Sequence, residues 1–134
     1  MTQKEKNKLL LQDLCARLPY KVIINYSGYE ECNYTLTAIN SSTINNSFPL
    51  ENCKPYLRPM SSMTEEEIEI YRIIIKSLLE NSVTNNVATL YNFLNSKHLD
   101  YNSLIYFGLA IEVTEENNPY DASHTTKVNC IFKN

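Results

Sequence analysis

The chain has 134 residues and a formal net charge of −3, and apolar residues make up 43% of it. This length indicates one domain with one hydrophobic core, since domains typically hold roughly 100–150 residues. The composition is that of an average soluble globular protein, which argues against global disorder and against a membrane protein. The acidic balance argues against a general phosphate-backbone binder, because such proteins usually present a basic face.

The first predicted element is a helix over residues 2–18. Thr2 is placed to cap its start, and Pro19 ends it because proline disfavours helical geometry in the residue before it. Asp13 and Arg17 can pair across one turn, which on an exposed helix contributes only about 0.2–0.5 kcal/mol. The apolar stripe of this helix consists of residues with helical spacing, namely Leu11, Leu14, Cys15 and Leu18.

A β region follows the helix. Residues 21–26 and 34–41 are rich in Val, Ile, Tyr and Thr, which favour strands. Two shorter strands are predicted over 47–50 and 54–57, where nearby prolines confine strands to sheet edges or strand ends. These prolines are Pro49, Pro55 and Pro59. Together the segments predict a small, mostly antiparallel sheet or a partial barrel.

The clearest helix signal covers residues 65–80. Thr64 and Glu67 have the spacing of a capping box. Apolar residues extend around most of the helix circumference, and such a helix needs burial on two sides. Either it is the central helix of a monomer, or its second side contacts another subunit of a homo-oligomer. The sequence leaves both alternatives open.

The remaining elements complete an α+β domain over residues 1–113. A third helix is predicted over 87–96, followed by a short helical turn that starts at Asp100 and ends near Phe107. Residues 109–113 suit a strand. Residues 114–134 read as a polar, mobile tail or long loop, with a final strand over 127–133 that can join the sheet.

Membrane and redox signals are weak in this sequence. No window approaches the roughly 20 apolar residues of a membrane helix, so we expect no membrane partner. The cysteines are irregularly spaced and form no CxxC pair, which favours reduced, mostly buried thiols in a cytoplasmic protein. They are Cys15, Cys32, Cys53 and Cys130.

Several segments carry a family resemblance. They are DLCARLPY from Asp13, KPYLRPMSSMTEE from Lys54, FLNSKHLDY from Phe93, and the residues Leu104-Ile105 and Gly108-Leu109-Ala110. Together these segments resemble a family of small uncharacterised proteins from gut anaerobic bacteria, their prophages and related mobile elements. The likeness covers most of residues 1–113 and implies a small cytoplasmic accessory protein, plausibly phage-borne.

This chain departs from the family pattern in three places. Lys21 stands where glycine is usual, and Asn102-Ser103 stands where Arg-Gly is usual. The tail after Val113 also differs from typical members. The family carries no established activity, so the resemblance supplies no catalytic or binding residues.

The candidates for catalysis and metal binding do not form a recognisable motif. His98 and Asp100 offer a base and a carboxylate, but nothing in the spacing brings a cysteine to them. Only two glycines are present, which excludes a glycine-rich phosphate loop. No two Cys or His residues lie two to four positions apart, as structural zinc sites require. We therefore expect no catalytic residues, no metal site and no cofactor.

Binding is the predicted activity. Ten tyrosines favour protein recognition, because tyrosine combines a large contact area with a polar tip. Tyr56 and Arg58 lie in a stiff, proline-bracketed segment and are the candidate anchor pair for an unknown protein partner. Alternatively, Tyr56 ties the sheet to the next helix and Arg58 spans a helix terminus.

Two other binding classes stay open. An oligomer could hold a small anionic nucleotide, with Lys54, Arg58 and tyrosines as contacts; this class rests on analogy alone. A nucleic-acid module would use the basic N-terminal helix and sheet tyrosines such as Tyr26 and Tyr34. The composition argues against nucleic acid, and protein–protein binding by a non-enzymatic protein is the preferred interpretation.

Overall fold

A computed structural model describes residues 1–27, 32–39, 50–80 and 86–121. Its first helix, α1, spans Gln3–Arg17. The Thr2 hydroxyl caps this helix as predicted by accepting a hydrogen bond from the backbone N–H of Glu5 (3.1 Å). The helix ends where the sequence predicts, and a 3₁₀ turn, Leu18–Tyr20, follows.

The buried face of α1 differs from the predicted stripe. It consists of Leu10, Asp13, Leu14 and Arg17. Cys15, predicted to be buried, is exposed. The inward face of α1 therefore carries a charged pair together with two leucines. The spacing of apolar residues alone does not identify such a face.

Four strands form one mixed sheet in the order β2-β1-β3-β4. They are β1 (Ile23–Tyr26), β2 (Cys32–Thr35), β3 (Cys53–Leu57) and β4 (Ile111–Glu112). β1 pairs antiparallel with β2 and β3, and β4 pairs parallel with β3. The predicted α+β fold with a mostly antiparallel sheet is confirmed. The partial-barrel alternative is wrong, because β2 and β4 lie at opposite edges of an open sheet.

Pro55 lies in an interior strand, although the sequence analysis confined it to an edge or a strand end. The physical reason is the shortness of β4, which reaches only Tyr56 and Leu57 of β3. Pro55 pairs with Ile24 on its other side. Its missing N–H costs little, because no described strand continues alongside Pro55 on the β4 side.

Two predicted strands of the β region have different bounds in the structure. The strand expected over 34–41 begins earlier and is shorter, although Leu36 still donates to the Val22 carbonyl beyond its end (2.9 Å). Of the strand expected over 47–50, only Leu50 is described, and it opens the 3₁₀ turn Leu50–Asn52.

The second and third helices are α2 (Glu65–Leu79) and α3 (Val87–Ser96), which pack against each other. The predicted capping box of α2 is confirmed. Glu67 N–H donates to the Thr64 hydroxyl (3.1 Å), and Thr64 N–H donates to the Glu67 carboxylate (2.9 Å). Of the two alternatives for α2, burial on two sides within the chain finds no support among the described residues. Ile74 is the residue of α2 that is buried there, and much of the apolar surface of the helix faces solvent.

A series of turns, not the predicted short helix, connects α3 to β4. Asp100 accepts hydrogen bonds from the backbone N–H groups of Leu104 (2.9 Å) and Ile105 (3.0 Å), which fixes the first turn. Gly108 closes the series at φ 73°, a conformation that glycine adopts without steric cost.

Three non-glycine residues, Lys21, His98 and Ser103, have φ near +60°. Such left-handed backbone costs an L-residue about 1–2 kcal/mol. Glycine would adopt this backbone without steric cost at each of these positions.

The core lies between α1, the sheet and the turns before β4. Its buried side chains come from residues far apart in the chain: Leu10, Leu14, Val22, Ile24, Tyr26, Tyr34, Leu36, Leu50, Cys53, Leu57, Leu104 and Ala110. The described part of the chain contains no helix that is long and apolar enough to cross a membrane. The strand predicted over 127–133 lies outside the described residues.

Candidate interaction surface

Tyr56, one of the three predicted binding residues, lies inside the fold. It is 6% exposed in β3. Its hydroxyl donates to the Asn33 side-chain carbonyl (3.1 Å), and its backbone carbonyl accepts from the Tyr120 hydroxyl (2.7 Å). A partner therefore cannot reach the Tyr56 ring without moving the sheet, so Tyr56 is not available as a surface anchor.

Arg58 joins three segments of the fold. Its guanidinium makes a bidentate pair with Glu67 at the start of α2 (2.6 and 3.0 Å) and donates to the Ser62 carbonyl (3.0 Å). It also reaches the Lys97 carbonyl just after α3 (3.4 Å). Hydrogen bonding from Arg58 lowers the pKa of Glu67 to about 2. These contacts correspond to the alternative in which Arg58 spans a helix terminus.

Lys54 is the exposed member of the predicted set. It lines a cleft of about 190 Å³ between α1, the start of β3 and the turn at Gly108, together with Lys6 and Glu51. Small-molecule pockets usually measure roughly 300–1,000 Å³. Lys54 is exposed while Tyr56 in the same strand is buried, so the three predicted residues do not form one accessible surface.

The predicted candidates for chemistry each have a role in the fold or are buried. Asp100 binds backbone N–H groups of the turn that follows it. His98 is half-buried and stacks on Tyr120 (ring centroids 3.9 Å apart), and burial lowers its pKa to about 4. Burial raises the pKa of the Cys53 thiol to about 12, which leaves it unreactive at neutral pH.

The cysteines differ from the prediction in their redox state. Cys15 and Cys53 form no disulfide bond, whereas Cys32 is disulfide-bonded. The prediction of reduced thiols is therefore wrong for Cys32. Disulfides persist mainly in oxidising compartments. The cysteines therefore no longer support a cytoplasmic location, which stays a prediction.

A buried polar cluster, which the sequence analysis missed, joins α1 to the segment after α3. The Asp13 and Arg17 side chains form an ion pair and are 0% exposed. Arg17 also donates to the Leu99 carbonyl (2.7 Å) and lies 4.8 Å from the centre of the Tyr101 ring. Asn102 donates to Asp13 (2.9 Å). Within this cluster the Arg17 Nη1 atom has no partner among the described residues.

The signal for this cluster was present in the sequence. Asp13 and Arg17 follow Leu10 with the spacing of one helix face, and Leu14 belongs to the same face. An acid and a base on an apolar stripe indicate a buried pair, whereas on a polar face the same spacing indicates a solvated pair.

Tyr120 is a second feature that the sequence analysis missed. The residues after Val113 are predicted to form a polar, mobile tail or a long loop, and in the structure the Tyr120 hydroxyl accepts from the Ile23 backbone N–H (2.9 Å) and donates to the Tyr56 carbonyl (2.7 Å). It bridges β1 and β3 one step beyond the pairing of Ile24 with Pro55. At least part of the tail is therefore integral to the domain.

This chain matches no known protein-family model, no curated protein and no solved structure. Among the described residues, no group of three or more Cys, His, Asp or Glu side chains could hold a metal ion.

The solvent side of α2 carries exposed apolar side chains. Ile70 is 45% exposed and Ile73 is 52% exposed, and their spacing places them on one face of the helix. We call this pair the α2 face. Capping by Thr64 and the bond from Arg58 to Glu67 fix the start of the helix. The α2 face is thus held on a rigid element.

The α2 face is bordered by charges. Glu69 and Arg72 form an exposed pair (2.7 Å), and Lys76 is exposed one turn further along the helix. Apolar residues rimmed by charged residues are typical of protein interaction sites. The sequence pattern predicts the apolar excess of this helix, and the structure shows which of its apolar side chains are exposed.

Proposed function

We propose that this protein acts by binding another protein chain through the α2 face. The supporting observation is the exposure of Ile70 and Ile73 on a helix whose opposite side is already packed against the domain. Exposed β-branched residues on a rigid helix lose little conformational entropy when a partner covers them. Such a surface favours recognition of a complementary helix.

The two other binding classes have weaker support. The cleft at Lys54 is smaller than an ordinary small-molecule site. Tyr26 and Tyr34, which a nucleic-acid platform would need for stacking on bases, are buried at 4% and 9% exposure. A net charge of −3 also opposes an approach to phosphate.

The absence of catalysis, the phage or mobile-element origin and the cytoplasmic location belong to the same proposal. Support for a non-enzymatic role comes from the environments of His98, Asp100 and Cys53, because His98 stacks on Tyr120, Asp100 binds the backbone of the following turn and Cys53 is buried. Support for an accessory protein of mobile elements comes from the family resemblance. Mass spectrometry of thiol-labelled protein from native cells tests the location, because a reduced Cys32 favours the cytoplasm.

Site-specific photo-crosslinking tests the proposed surface. A benzoylphenylalanine placed at position 73 reports on the α2 face. The same probe at position 106, where Tyr106 is 84% exposed outside the helices, is the matched control. We expect discrete crosslinked products from position 73 in native cells, and we expect their loss when Ile70→Gln is added. No product at position 73, or the same products at both positions, would refute the proposed function.

A further inference from the structure

We infer that the partner of the α2 face is a second copy of this chain, with the two α2 helices packed antiparallel about a two-fold axis. This inference rests on the proposed function, because it names the occupant of the same surface. Two observations carry it: the position of the exposed isoleucines near the middle of α2, and the distribution of charge along one flank of the helix.

The isoleucines match an antiparallel pair. α2 spans Glu65–Leu79, so Ile70 and Ile73 lie on either side of its midpoint. A two-fold axis between them places Ile70 of one copy against Ile73 of the other, and the reverse contact follows by symmetry. The four side chains then form one compact apolar layer.

The charges along the flank decide the orientation. Glu69 and Lys76 are seven residues apart, two turns of the helix, and therefore border the same side of the α2 face. Both are exposed. In the antiparallel pair, Glu69 lies beside the partner's Lys76, with an offset of about 3 Å along the axis that the long lysine side chain can span. Symmetry creates the same contact twice.

A parallel pair about a two-fold axis would instead place this flank beside the opposite flank of the partner helix, so Glu69 and Lys76 would not meet their copies. The flank therefore meets its own copy only in the antiparallel orientation, where Glu69 and Lys76 give it opposite charges on either side of the axis. Glu69 already accepts from Arg72 in its own helix (2.7 Å), but a carboxylate has acceptor capacity for a second donor.

The interface is small, which sets the expected strength. Four half-exposed isoleucines with two flanking ion pairs bury far less than the standard interface of about 1,600 Å². We therefore expect a weak dimer with a Kd of about 10⁻⁴ M. Such a dimer forms at high local concentration and dissociates when the protein is dilute.

Analytical ultracentrifugation of the full chain, from micromolar to millimolar concentration, measures this equilibrium. We expect Ile70→Gln/Ile73→Gln to abolish dimerisation. Leu79→Gln is the matched control, since Leu79 is 79% exposed but lies about two and a half turns from Ile70, on the other side of α2. Glutamine keeps helix propensity high, and far-ultraviolet circular dichroism verifies that each variant is folded.

Charge reversal tests the orientation. Glu69→Lys and Lys76→Glu each place like charges together, and we expect either change to weaken the dimer by about three- to tenfold. The double variant Glu69→Lys/Lys76→Glu restores opposite charges across the axis, so we expect its Kd to return close to the wild-type value. Sodium chloride should weaken the wild type and the double variant alike.

Three outcomes would overturn the inference: a strictly monomeric chain at millimolar concentration, a dimer that Ile70→Gln/Ile73→Gln leaves intact, or a double charge reversal that fails to recover. Each leaves the proposed function testable on its own. If position 73 crosslinks only to a different protein, the α2 face is a binding surface but its occupant is not a second copy. If position 73 gives no crosslink, both proposals fail.

Discussion

Removing the carboxylate of Asp13 perturbs the buried cluster that joins α1 to the segment after α3. In Asp13→Ala, the Arg17 guanidinium stays in a site where its side chain is 0% exposed. Its remaining neighbours are the Leu99 carbonyl and the Tyr101 ring. Breaking a buried ion pair from one side costs about 3–5 kcal/mol, whereas an exposed pair with the same spacing contributes about 0.2–0.5 kcal/mol. We expect the larger loss.

A double-mutant cycle separates the pair from its surroundings. Arg17→Met removes the donor to the Leu99 carbonyl and leaves Asp13 with the Asn102 amide (2.9 Å), so we expect it to be destabilising as well. In Asp13→Ala/Arg17→Met no charge remains in the site. The loss in the double variant should therefore be smaller than the sum of the two single losses, by about 2 kcal/mol.

Urea unfolding followed by far-ultraviolet circular dichroism measures these free energies, since the chain has no tryptophan for fluorescence. Glu69→Ala is the internal control, because its pair with Arg72 is exposed (side chains 60% and 67%) and should contribute less than about 0.5 kcal/mol. A loss below about 1 kcal/mol in Asp13→Ala, together with additive single variants, would show that the pair is solvated and would refute this reasoning.

Three further predictions follow from named contacts. The pKa of His98 is lowered from its usual value of 6.5 to about 4. The native state therefore favours the neutral imidazole, and its free energy of unfolding decreases as the pH falls from 6.5 to 4. His98→Asn, which tolerates the positive φ, should reduce the difference in unfolding free energy between pH 7 and pH 4 by about 2 kcal/mol, after allowance for partial solvent exposure; an unchanged pH profile would contradict this. Tyr120→Phe keeps the ring but leaves the Ile23 N–H and the Tyr56 carbonyl without their bridge, so it should cost about 1–3 kcal/mol in urea unfolding and speed hydrogen exchange at Ile23. Lys21→Gly relieves a φ of 60° and should stabilise the fold by about 0.5–1 kcal/mol; a lower melting temperature would show that the left-handed backbone is not strained there.

Local signals in the sequence determined the helices and the fold class. A capping box acts within one turn, so Thr64 and Glu67 are sufficient to place the start of α2. The end of α1 before Pro19 follows from the geometry of a single peptide unit. Strand propensity located β1 and β3 within one or two residues, and the α+β class followed from the order of these elements.

The tertiary structure decided which surfaces are covered, because burial depends on segments distant in sequence. Arg17 is buried by contact with Leu99, which lies 82 residues away. The Tyr120 hydroxyl contacts the sheet through a hydrogen bond from the Ile23 backbone N–H, 97 positions away in the sequence. Neither contact has a local signature, because the apolar stripe that carries Asp13 and Arg17 does not show which distant segment covers it.

The candidate interaction surface shows the same division. Residue pattern alone shows that α2 is apolar over most of its circumference, and it leaves open which side the rest of the chain covers. Only the packing of α2 in the domain shows that Ile74 is enclosed while Ile70 and Ile73 face solvent. Helix periodicity fixes the angle between these side chains, and the position of the neighbouring elements determines which of them remain exposed.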